Sequence, residues 1–370
     1  MGADEDLSAR DEGASLRRHR LVIVCAAGGV LLLYALGGYY GARLLRRYAA
    51  ETARTQQARI VSLTTDPTPH PPTAAPPPRS GPAANPVDIK VALTVTRIGS
   101  VALKDSSLTA EFDISFRWRG DAVAPGKDFR VVKGHIDERE KVAGYERGGE
   151  RYEQYRVVAR IAKDFDASRF PFGDEGLMVQ IEDATQGIET LRYVADESNS
   201  GVDAEAMPHH MRLARTLVGV TVGRQGTARE THSQFFVAML IATDSAPIYL
   251  NMFQALFAAV AVALLVFFIK PMNLDPRFGL PVGGFFAAIS NNTFVSGLLP
   301  ASDGVTLASM VNATGLLTIF LVMVESTAAV HIEDTLGQER LARFCDRTFF
   351  VVVLVGYVAV NVALPLAARG

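Results

Sequence analysis

Apolar and polar residues alternate through the middle of the chain, which marks that region as a set of β-strands. In residues 87–99 (VDIKVALTVTRIG) and 108–118 (LTAEFDISFRW), every second residue is apolar or β-branched. A period of two over such a length predicts half-buried strands. Shorter stretches of the same kind predict strands at residues 153–161, 177–181, 190–194, 217–222 and 233–241. Many short strands separated by turn-forming residues predict an antiparallel β-sandwich, with the polar residues 196–211 as a long surface loop.

Continuous apolar segments flank this strand-rich region and predict membrane helices. A helix needs about 20 predominantly apolar residues to cross the hydrocarbon core of a bilayer. Five segments approach that length: residues 21–41, 248–270, 278–299, 305–327 and 348–368. The last four lie close together and predict a four-helix transmembrane bundle. The first has the flanks and length of a signal peptide, but the polar, helix-forming residues 43–62 follow it directly and favour an uncleaved anchor.

Basic residues in the short loops predict the orientation of these helices. The loop after the second segment holds Lys270 and Arg277, and the loop after the fourth holds Arg340, Arg343 and Arg347, whereas residues 300–304 contain no basic residue. Loops rich in Lys and Arg face the cytoplasm. We therefore expect a bacterial inner-membrane protein with a cytoplasmic N-terminus and with the sandwich on the periplasmic or extracellular side.

The domain organisation follows from these segments and from a proline-rich run. Residues 67–86 (PTPHPPTAAPPPRSGPAANP) favour an extended, polyproline-like tether. The sequence thus predicts an α+β membrane protein in five parts: a cytoplasmic tail (1–20), an N-terminal transmembrane anchor with a juxtamembrane helix (21–62), a Pro-rich linker (63–86), an extracytoplasmic β-sandwich (87–246) and a four-helix transmembrane domain (247–370).

Composition excludes several classes of function. The 370-residue chain has a formal net charge of -2 and no block of basic residues, so nucleic acid is not an expected partner. Cys25 and Cys345 are its two cysteines and lie in or near apolar segments, so no disulfide framework is expected. No catalytic or cofactor-binding signature occurs, so we expect no enzyme and no cofactor. His209 and His210 allow a metal site or a proton sensor, although adjacent histidines in a polar loop are more often solvated.

Three motifs carry a resemblance to a known family. Phe170, Pro171, Phe172, Gly173 and Asp174 precede a strand (LMVQIED), and Trp118-Arg119-Gly120-Asp121 ends another. Asp275-Pro276-Arg277 precedes residues 278–299, Pro300 closes that segment, and Thr306-Leu307 opens the next. Together, residues 87–370 resemble the pentameric ligand-gated ion channel, or Cys-loop receptor, superfamily, in a form without the bracketing cysteines. The chain departs from the family at Ala242-Thr243-Asp244, where an arginine is usual, in the proline-free residues 251–258, and in its additional N-terminal helix.

The resemblance implies a homopentamer in which residues 278–299 line a central pore. Phe170, Pro171, Phe172 and Asp174 would then form a coupling loop at the membrane-facing end of the sandwich. The sandwich itself would bind an unknown small molecule or a proton. The family's ligand-capping hairpin corresponds to residues 224–230, which contain no aromatic residue. Tyr145, Tyr152 and Tyr155 are the aromatic candidates elsewhere.

A stripe of small and polar residues on the third apolar segment is the candidate pore lining. Positions spaced alternately by four and three residues share one face of a helix, and they are Gly279, Gly283, Phe286, Ser290, Thr293 and Gly297. In a ring of five, Phe286 would form a hydrophobic constriction and Asp275 would attract cations. Alternatively, small residues allow close helix packing. Asn291 and Asn292 lie on neighbouring stripes, and either can face the pore if the helix is rotated by one position.

These patterns leave rival hypotheses for function. The first is a ligand-gated ion channel that conducts cations. The second is a non-conducting membrane sensor or assembly scaffold, which uses the N-terminal helix and the tether to bind a protein partner. The missing arginine and proline favour this second hypothesis. A transporter subunit is disfavoured because the hydropathy shows no internal repeat. Membrane lipid is a partner under every one of them.

Overall fold

The computed structural model describes residues 2–64, 86–208, 211–224, 231–300 and 304–369. The chain forms two compact units. The helical unit comprises Met1–Glu51, Asp166–Gly173 and Ser245–Gly370, and the sheet unit comprises Thr52–Phe165 and Asp174–Asp244. The first element is one long helix, α1 (Gly2–Thr64), which includes residues 43–62. His209, His210 and residues 225–230, and with them the candidate metal loop and capping hairpin, lie outside the described residues, as does the Pro-rich run up to residue 85.

Ten strands and one short helix make up the described part of the sheet unit after α1. In chain order they are β1 (Val87–Ala102), β2 (Ser107–Arg119), the helix α2 (Pro125–Asp128), β3 (Phe129–Val131), β4 (Gly134–Arg147), β5 (Glu150–Ala162), β6 (Glu175–Asp183), β7 (Leu191–Ala195), β8 (Gly201–Val202), β9 (Met211–Arg224) and β10 (Thr231–Thr243). One sheet has the order β4-β5-β2-β1-β7, with β8 also paired to β1, and the other has the order β3-β6-β10-β9.

Alternating side chains from both sheets build one hydrophobic core. Along β2 every second residue from Leu108 to Trp118 is buried, and Phe112 and Phe116 are fully buried beside Phe235 of the other sheet. Burial of a side chain of this size contributes about 1.5–3 kcal/mol relative to exposure. The two strongest alternating patterns in the sequence are therefore confirmed as strands at the centre of the larger sheet.

Two features of the sheets differ from the expectation of a simple antiparallel sandwich. β1 pairs with both β7 and β8 in parallel. Residues 196–211 are not merely a surface loop, because they include a 3₁₀ turn (Glu197–Asn199) and β8, and bury Asp196 and Ala206. The amide of Ile98 donates to the carbonyl of Ala206 over 2.8 Å, which ties this segment to β1.

Sequence patterns missed β3 and β4 because neither offers a long buried face. β3 has three residues, and β4 is exposed along almost its whole length. β4 is an edge strand whose charged side chains cover the sheet border, as edge strands commonly do. Its hairpin with β5 turns at Gly148 and Gly149, whose φ angles of 61° and 75° suit a tight turn that favours glycine.

Four more helices follow in the helical unit: α3 (Ser245–Leu264), α4 (Leu274–Leu298), α5 (Leu307–Leu336) and α6 (Glu339–Arg369). α3 ends in a 3₁₀ turn (Leu265–Phe268). α5 starts at a capping box, in which the Thr306 side chain accepts from the amide of Ser309 over 3.1 Å, and ends at Gly337 in the left-handed conformation. The junctions α3–α4 and α5–α6 lie at one end of these helices, called here the basic end after Lys270, Arg340, Arg343 and Arg347.

Four helices in the described part of the chain are long and apolar enough to cross a membrane: Leu16–Thr55 within α1, Ser245–Phe268, Leu307–Leu336 and Glu339–Arg369. These helices suggest a membrane-embedded protein. α4 contains the third predicted segment, residues 278–299. It does not reach the same mean hydropathy, because Asn291, Asn292 and several glycines and hydroxyl residues interrupt its apolar sequence.

The N-terminal helix contacts α6 at the basic end. Ile23 is buried in a cluster with Leu341 and Cys345, and the Arg20 guanidinium lies 5.4 Å from the centroid of the Phe344 ring. Such a distance is within the range of a cation–π interaction.

Further along, α1 contacts both α5 and α6. Tyr34 is 3% exposed, and its hydroxyl lies 2.7 Å from Thr318 Oγ1 of α5. Gly356 of α6 leaves room for the Tyr34 ring, because a Cβ there would lie 2.5 Å from Tyr34 Cδ2. A Cβ at Gly38 would lie 3.2 Å from Val360 Cγ2. α1 thus makes side-chain contacts with the helical unit along its apolar segment.

Candidate functional site

The predicted pore stripe of α4 lies on the exposed face of this helix. All six positions are exposed: Gly279, Gly283, Phe286, Ser290, Thr293 and Gly297. The opposite face is buried and packs toward α3 and α5: Arg277, Pro281, Gly284, Ala288, Asn291 and Val295. A Cβ added at Gly279, Gly283 or Gly297 would meet nothing within 4 Å. Within the described part of one chain, the stripe is therefore free for lipid, water or another chain.

The buried face of α4 fixes its rotation. Asn291 Nδ2 donates to Asn312 Oδ1 of α5 over 3.2 Å, so this amide is satisfied inside the helical unit, and Asn292 is half-buried. Gly284 allows the closest approach, because a Cβ there would lie 2.8 Å from the Ala259 carbonyl oxygen of α3. Asn291 thus lies on the buried face of α4 and not on the exposed stripe.

An ion cluster anchors the start of α4. Arg277 is 0% exposed, and its Nη1 donates to the Ile269 carbonyl over 2.7 Å. Its Nη2 forms a close ion pair with Asp346 of α6 and lies 3.6 Å from a carboxylate oxygen of Glu325 on α5. Because buried charges need partners, this arginine ties α4 to two other helices and to the chain that follows α3.

Sequence reasoning missed this cluster. From the sequence, Arg277 is only a loop charge that indicates orientation. The available signal was Glu325 itself, since an ionisable residue inside an apolar segment commonly faces the bundle interior and pairs with an opposite charge. The pairing of Arg277 with Asp346 could not be predicted from the sequence, because the two residues are 69 positions apart.

The predicted coupling loop packs onto helix ends opposite the basic end. The Ser168 carbonyl accepts a hydrogen bond from the Leu307 amide at the start of α5 over 2.9 Å. Arg169 Nη1 donates to the Ala368 carbonyl at the end of α6 over 3.1 Å. These two bonds join residues 166–173 to α5 and α6, although the loop comes between two strands of the sheet unit.

Aromatic contacts complete the packing of this loop. Phe172 is buried, and its ring lies 5.6 Å from the ring of Tyr249 on α3 and 5.3 Å from the guanidinium of Arg369. Pro171 is also buried, Phe170 is half-buried and Asp174 is exposed. Of the four predicted coupling residues, Pro171 and Phe172 are therefore buried in the helical unit.

A polar cavity of about 260 Å³ lies on the larger sheet, within the sheet unit. Side chains of β1, β2 and β5 line it together with the segment after β7, and the charged or aromatic ones are Lys90, Asp113, Arg117, Tyr152 and Asp196. Tyr152 stacks on Tyr145 with ring centroids 4.9 Å apart, and the Arg117 guanidinium lies 5.8 Å from the Tyr152 ring. Both charge signs and one aromatic face suit a small zwitterionic or polar molecule.

Asp196 organises one wall of the polar cavity. It pairs with Lys90 over 3.1 Å and accepts hydrogen bonds from Ser198 Oγ at 2.8 Å and Asn199 Nδ2 at 2.9 Å. Burial alone would raise the pKa of Asp196, but the hydrogen bonds and the Lys90 charge outweigh it, so the pKa is lowered.

We expect Asp196→Asn to destabilise the sheet unit by about 1–3 kcal/mol at neutral pH, because hydrogen bonds to a charged group are lost. The folded-state pKa lies below the unfolded value of about 3.9. The contribution of Asp196 is therefore complete above that value and is lost as the pH falls through the folded-state pKa. Fluorescence of Trp118, the only tryptophan and 4% exposed in the sheet core, measures unfolding of this unit in the full chain.

The matched control is Asp113→Asn, since Asp113 pairs with the half-exposed Arg156. A surface pair contributes about 1 kcal/mol or less. A stability difference between wild type and Asp196→Asn that persists unchanged at acidic pH would contradict the role given to the Asp196 carboxylate.

The remaining candidates make the following contacts within the described part of the sheet unit. Trp118 is buried in the core, and Asp121 forms a close ion pair with Arg151. Tyr155 donates its hydroxyl to Glu153 over 2.8 Å and packs on Phe129. Among the described residues, no group of three or more His, Cys, Asp or Glu side chains could hold a metal ion.

Comparison with known proteins adds no relatives. No protein-family model matches the chain, and no curated protein matches it significantly. The resemblance to pentameric ligand-gated channels therefore rests on the motifs given above.

Proposed function

We propose that five copies of this chain assemble in a membrane as a ligand-gated cation channel with α4 lining the pore. The observation that carries the proposal is the exposed face of α4, where six predicted positions lie opposite a fully packed face. Glycines and hydroxyl side chains offer little to lipid, whereas five such faces around an axis form a narrow polar path.

Two residues of α4 would set the properties of this path. Phe286 is 64% exposed on the stripe, and a ring of five phenyl groups forms a hydrophobic constriction that closes by dewetting. Asp275 is exposed in the first turn of α4, at the basic end. A ring of five carboxylates there attracts cations and repels anions.

The orientation is supported by the position of basic residues. Arg20 contacts Phe344, which places the basic residues that precede the apolar part of α1 at the same end as Arg343 and Arg347. By the positive-inside tendency this end faces the cytoplasm. α1 is then an additional transmembrane helix, and the sheet unit is an extracytoplasmic sandwich ahead of the four-helix bundle in an inner membrane.

The ligand in this proposal is a small polar molecule or a proton that acts on the polar cavity of the sheet unit. The cavity combines Lys90, Arg117 and Asp196 with the ring of Tyr152. β5 and β6 lead directly into and out of residues 166–173, which hold the ends of α5 and α6. A change in the sheets would thus be transmitted through this loop to the helices.

Recording currents from the full chain in planar bilayers tests the proposal. We expect Phe286→Ala to raise the current several-fold, because the hydrophobic constriction becomes wider and easier to hydrate. Asp275→Asn is expected to reduce the preference for cations over anions, measured as a shift in reversal potential under a salt gradient.

Matched controls are Phe320→Ala and Asp334→Asn, both exposed on α5 and away from the stripe, and neither is expected to change the current. A preparation shown to be pentameric that passes no current over a wide range of pH and small molecules would overturn the channel. If currents appear and neither α4 variant alters them, the stripe is not the pore lining.

A non-conducting sensor or scaffold is the second candidate. It is favoured by the contacts of α1 with α5 and α6, which add a helix to the helical unit. In this hypothesis the added helix binds a protein partner. In this case the pentamer would form without current.

A further inference from the structure

A second cavity lies at the basic end of the helical unit, between the end of α3 and the first turns of α6. Its volume is about 310 Å³. Residues 267–271 form one wall, and Glu339, Arg343, Asp346, Arg347 and Phe350 form the other. Each of these positions on α6 lies three or four residues from another of them, so they share one face of that helix.

The charges of this cavity leave two cations available. Arg343 pairs with Glu339 over 3.4 Å, and Asp346 is engaged by Arg277, which does not line the cavity. In the described part of the chain, no carboxylate pairs with Lys270 or Arg347, and both side chains are exposed. The cavity therefore has an excess of positive charge that its own carboxylates do not neutralise.

An aromatic wall adjoins these cations. The Phe350 ring lies 5.9 Å from that of Phe267 and 5.1 Å from that of Phe268, both edge to face. Phe268 is 73% exposed, and the neighbouring Leu265 and Val351 are 51% and 56% exposed. Cations beside an exposed apolar strip match a molecule that carries a negative group next to a hydrocarbon chain.

We propose that this cavity binds the head group of an anionic phospholipid, with Lys270 and Arg347 at the phosphate and an acyl chain along Phe268 and Phe350. Basic pockets between membrane helices on the cytoplasmic side bind such head groups. The apolar strip favours a lipid over free phosphate, because free phosphate has no hydrocarbon chain that could contact the phenylalanines. The proposal rests on the membrane embedding of α3 and α6 and on the cytoplasmic position of the basic end proposed above, but not on ion conduction.

Native mass spectrometry of the full chain in detergent, titrated with short-chain phosphatidylglycerol, measures the affinity. We expect phosphatidylglycerol to bind more tightly than phosphatidylcholine of the same chain length. Lys270→Gln and Arg347→Gln should each lower the affinity for phosphatidylglycerol about fivefold, which corresponds to about 1 kcal/mol per cation. Phe268→Ala should lower the affinity for both lipids, because it removes a contact with the acyl chain.

Arg340→Gln is the matched control, since Arg340 is an exposed arginine of the first turn of α6 that does not line the cavity. It should bind phosphatidylglycerol like the wild type. Equal affinities of the wild type for the two lipids would overturn the proposal, as would unchanged binding in the Lys270→Gln, Arg347→Gln double variant. If inorganic phosphate displaces the bound lipid as efficiently as phosphatidylglycerol does, the cavity is a phosphate site instead. No current is measured, so the outcome is independent of the channel experiment.

Discussion

Arg277→Gln should destabilise the helical unit by about 3–5 kcal/mol, because it leaves a buried carboxylate without its partner. Asp346 would lose its ion pair with Arg277, and Glu325, 3.6 Å from the guanidinium, would lose its nearest positive charge. The Ile269 carbonyl would also lose its hydrogen bond. Thermal unfolding of the full chain in nanodiscs, with yield of folded protein, measures the effect.

Asp275→Asn is the matched control for this prediction, since Asp275 is exposed two positions earlier on α4 and surface substitutions usually change stability by less than about 0.5 kcal/mol. The double variant Arg277→Gln, Asp346→Asn should recover part of the loss, because the two residues interact directly. If Arg277→Gln is as stable as Asp275→Asn, the ion cluster does not anchor α4.

Tyr34→Ala should release α1 from α5 and α6. It removes a buried ring, at a cost of about 3 kcal/mol or more by analogy with other aromatic truncations in cores, together with the 2.7 Å hydrogen bond to Thr318. The measurement is disulfide cross-linking between Gly38→Cys and Val360→Cys in a background without Cys25, since these positions are adjacent across the two helices. We expect the cross-link yield to fall strongly.

Tyr39→Ala provides the control, because Tyr39 is 60% exposed on the same helix, and it should leave the yield unchanged. Tyr34→Phe separates the ring from its hydroxyl, and we expect it to retain most of the cross-link, as hydrogen bonds between membrane helices contribute only about 0.6–2 kcal/mol. Efficient cross-linking in Tyr34→Ala would show that α1 is held by other contacts.

These two predictions bear on function through the same helices. Arg277 fixes the basic end of α4, the candidate pore helix, while residues 166–173 hold the opposite ends of α5 and α6. A helix fixed at one end and packed against two neighbours can tilt or rotate only if those neighbours move. In the proposed channel, α3 and α5 would therefore move together with α4 when the pore opens.

Local sequence patterns were sufficient to predict an element wherever that element has one buried face. Every second residue of β2 is buried as its alternation predicts, and the stripe on α4 lies on one face as its spacing predicts. The same reasoning failed for β4, because an exposed edge strand has no buried face to produce a period. It also failed for the parallel pairing of β1 with β7, because pairing partners are set by the path of the chain and not by side-chain alternation.

The strand-rich centre and the long apolar helices can be predicted from the sequence, because each depends on residues within a few turns or one strand. Three features are set by the tertiary structure: which face of α4 is packed, which carboxylate neutralises Arg277, and where Tyr34 lies. These facts depend on contacts between residues that are 69 and 284 positions apart. Such contacts are selected by the fit of whole helices against one another, for which a single sequence carries no local signal.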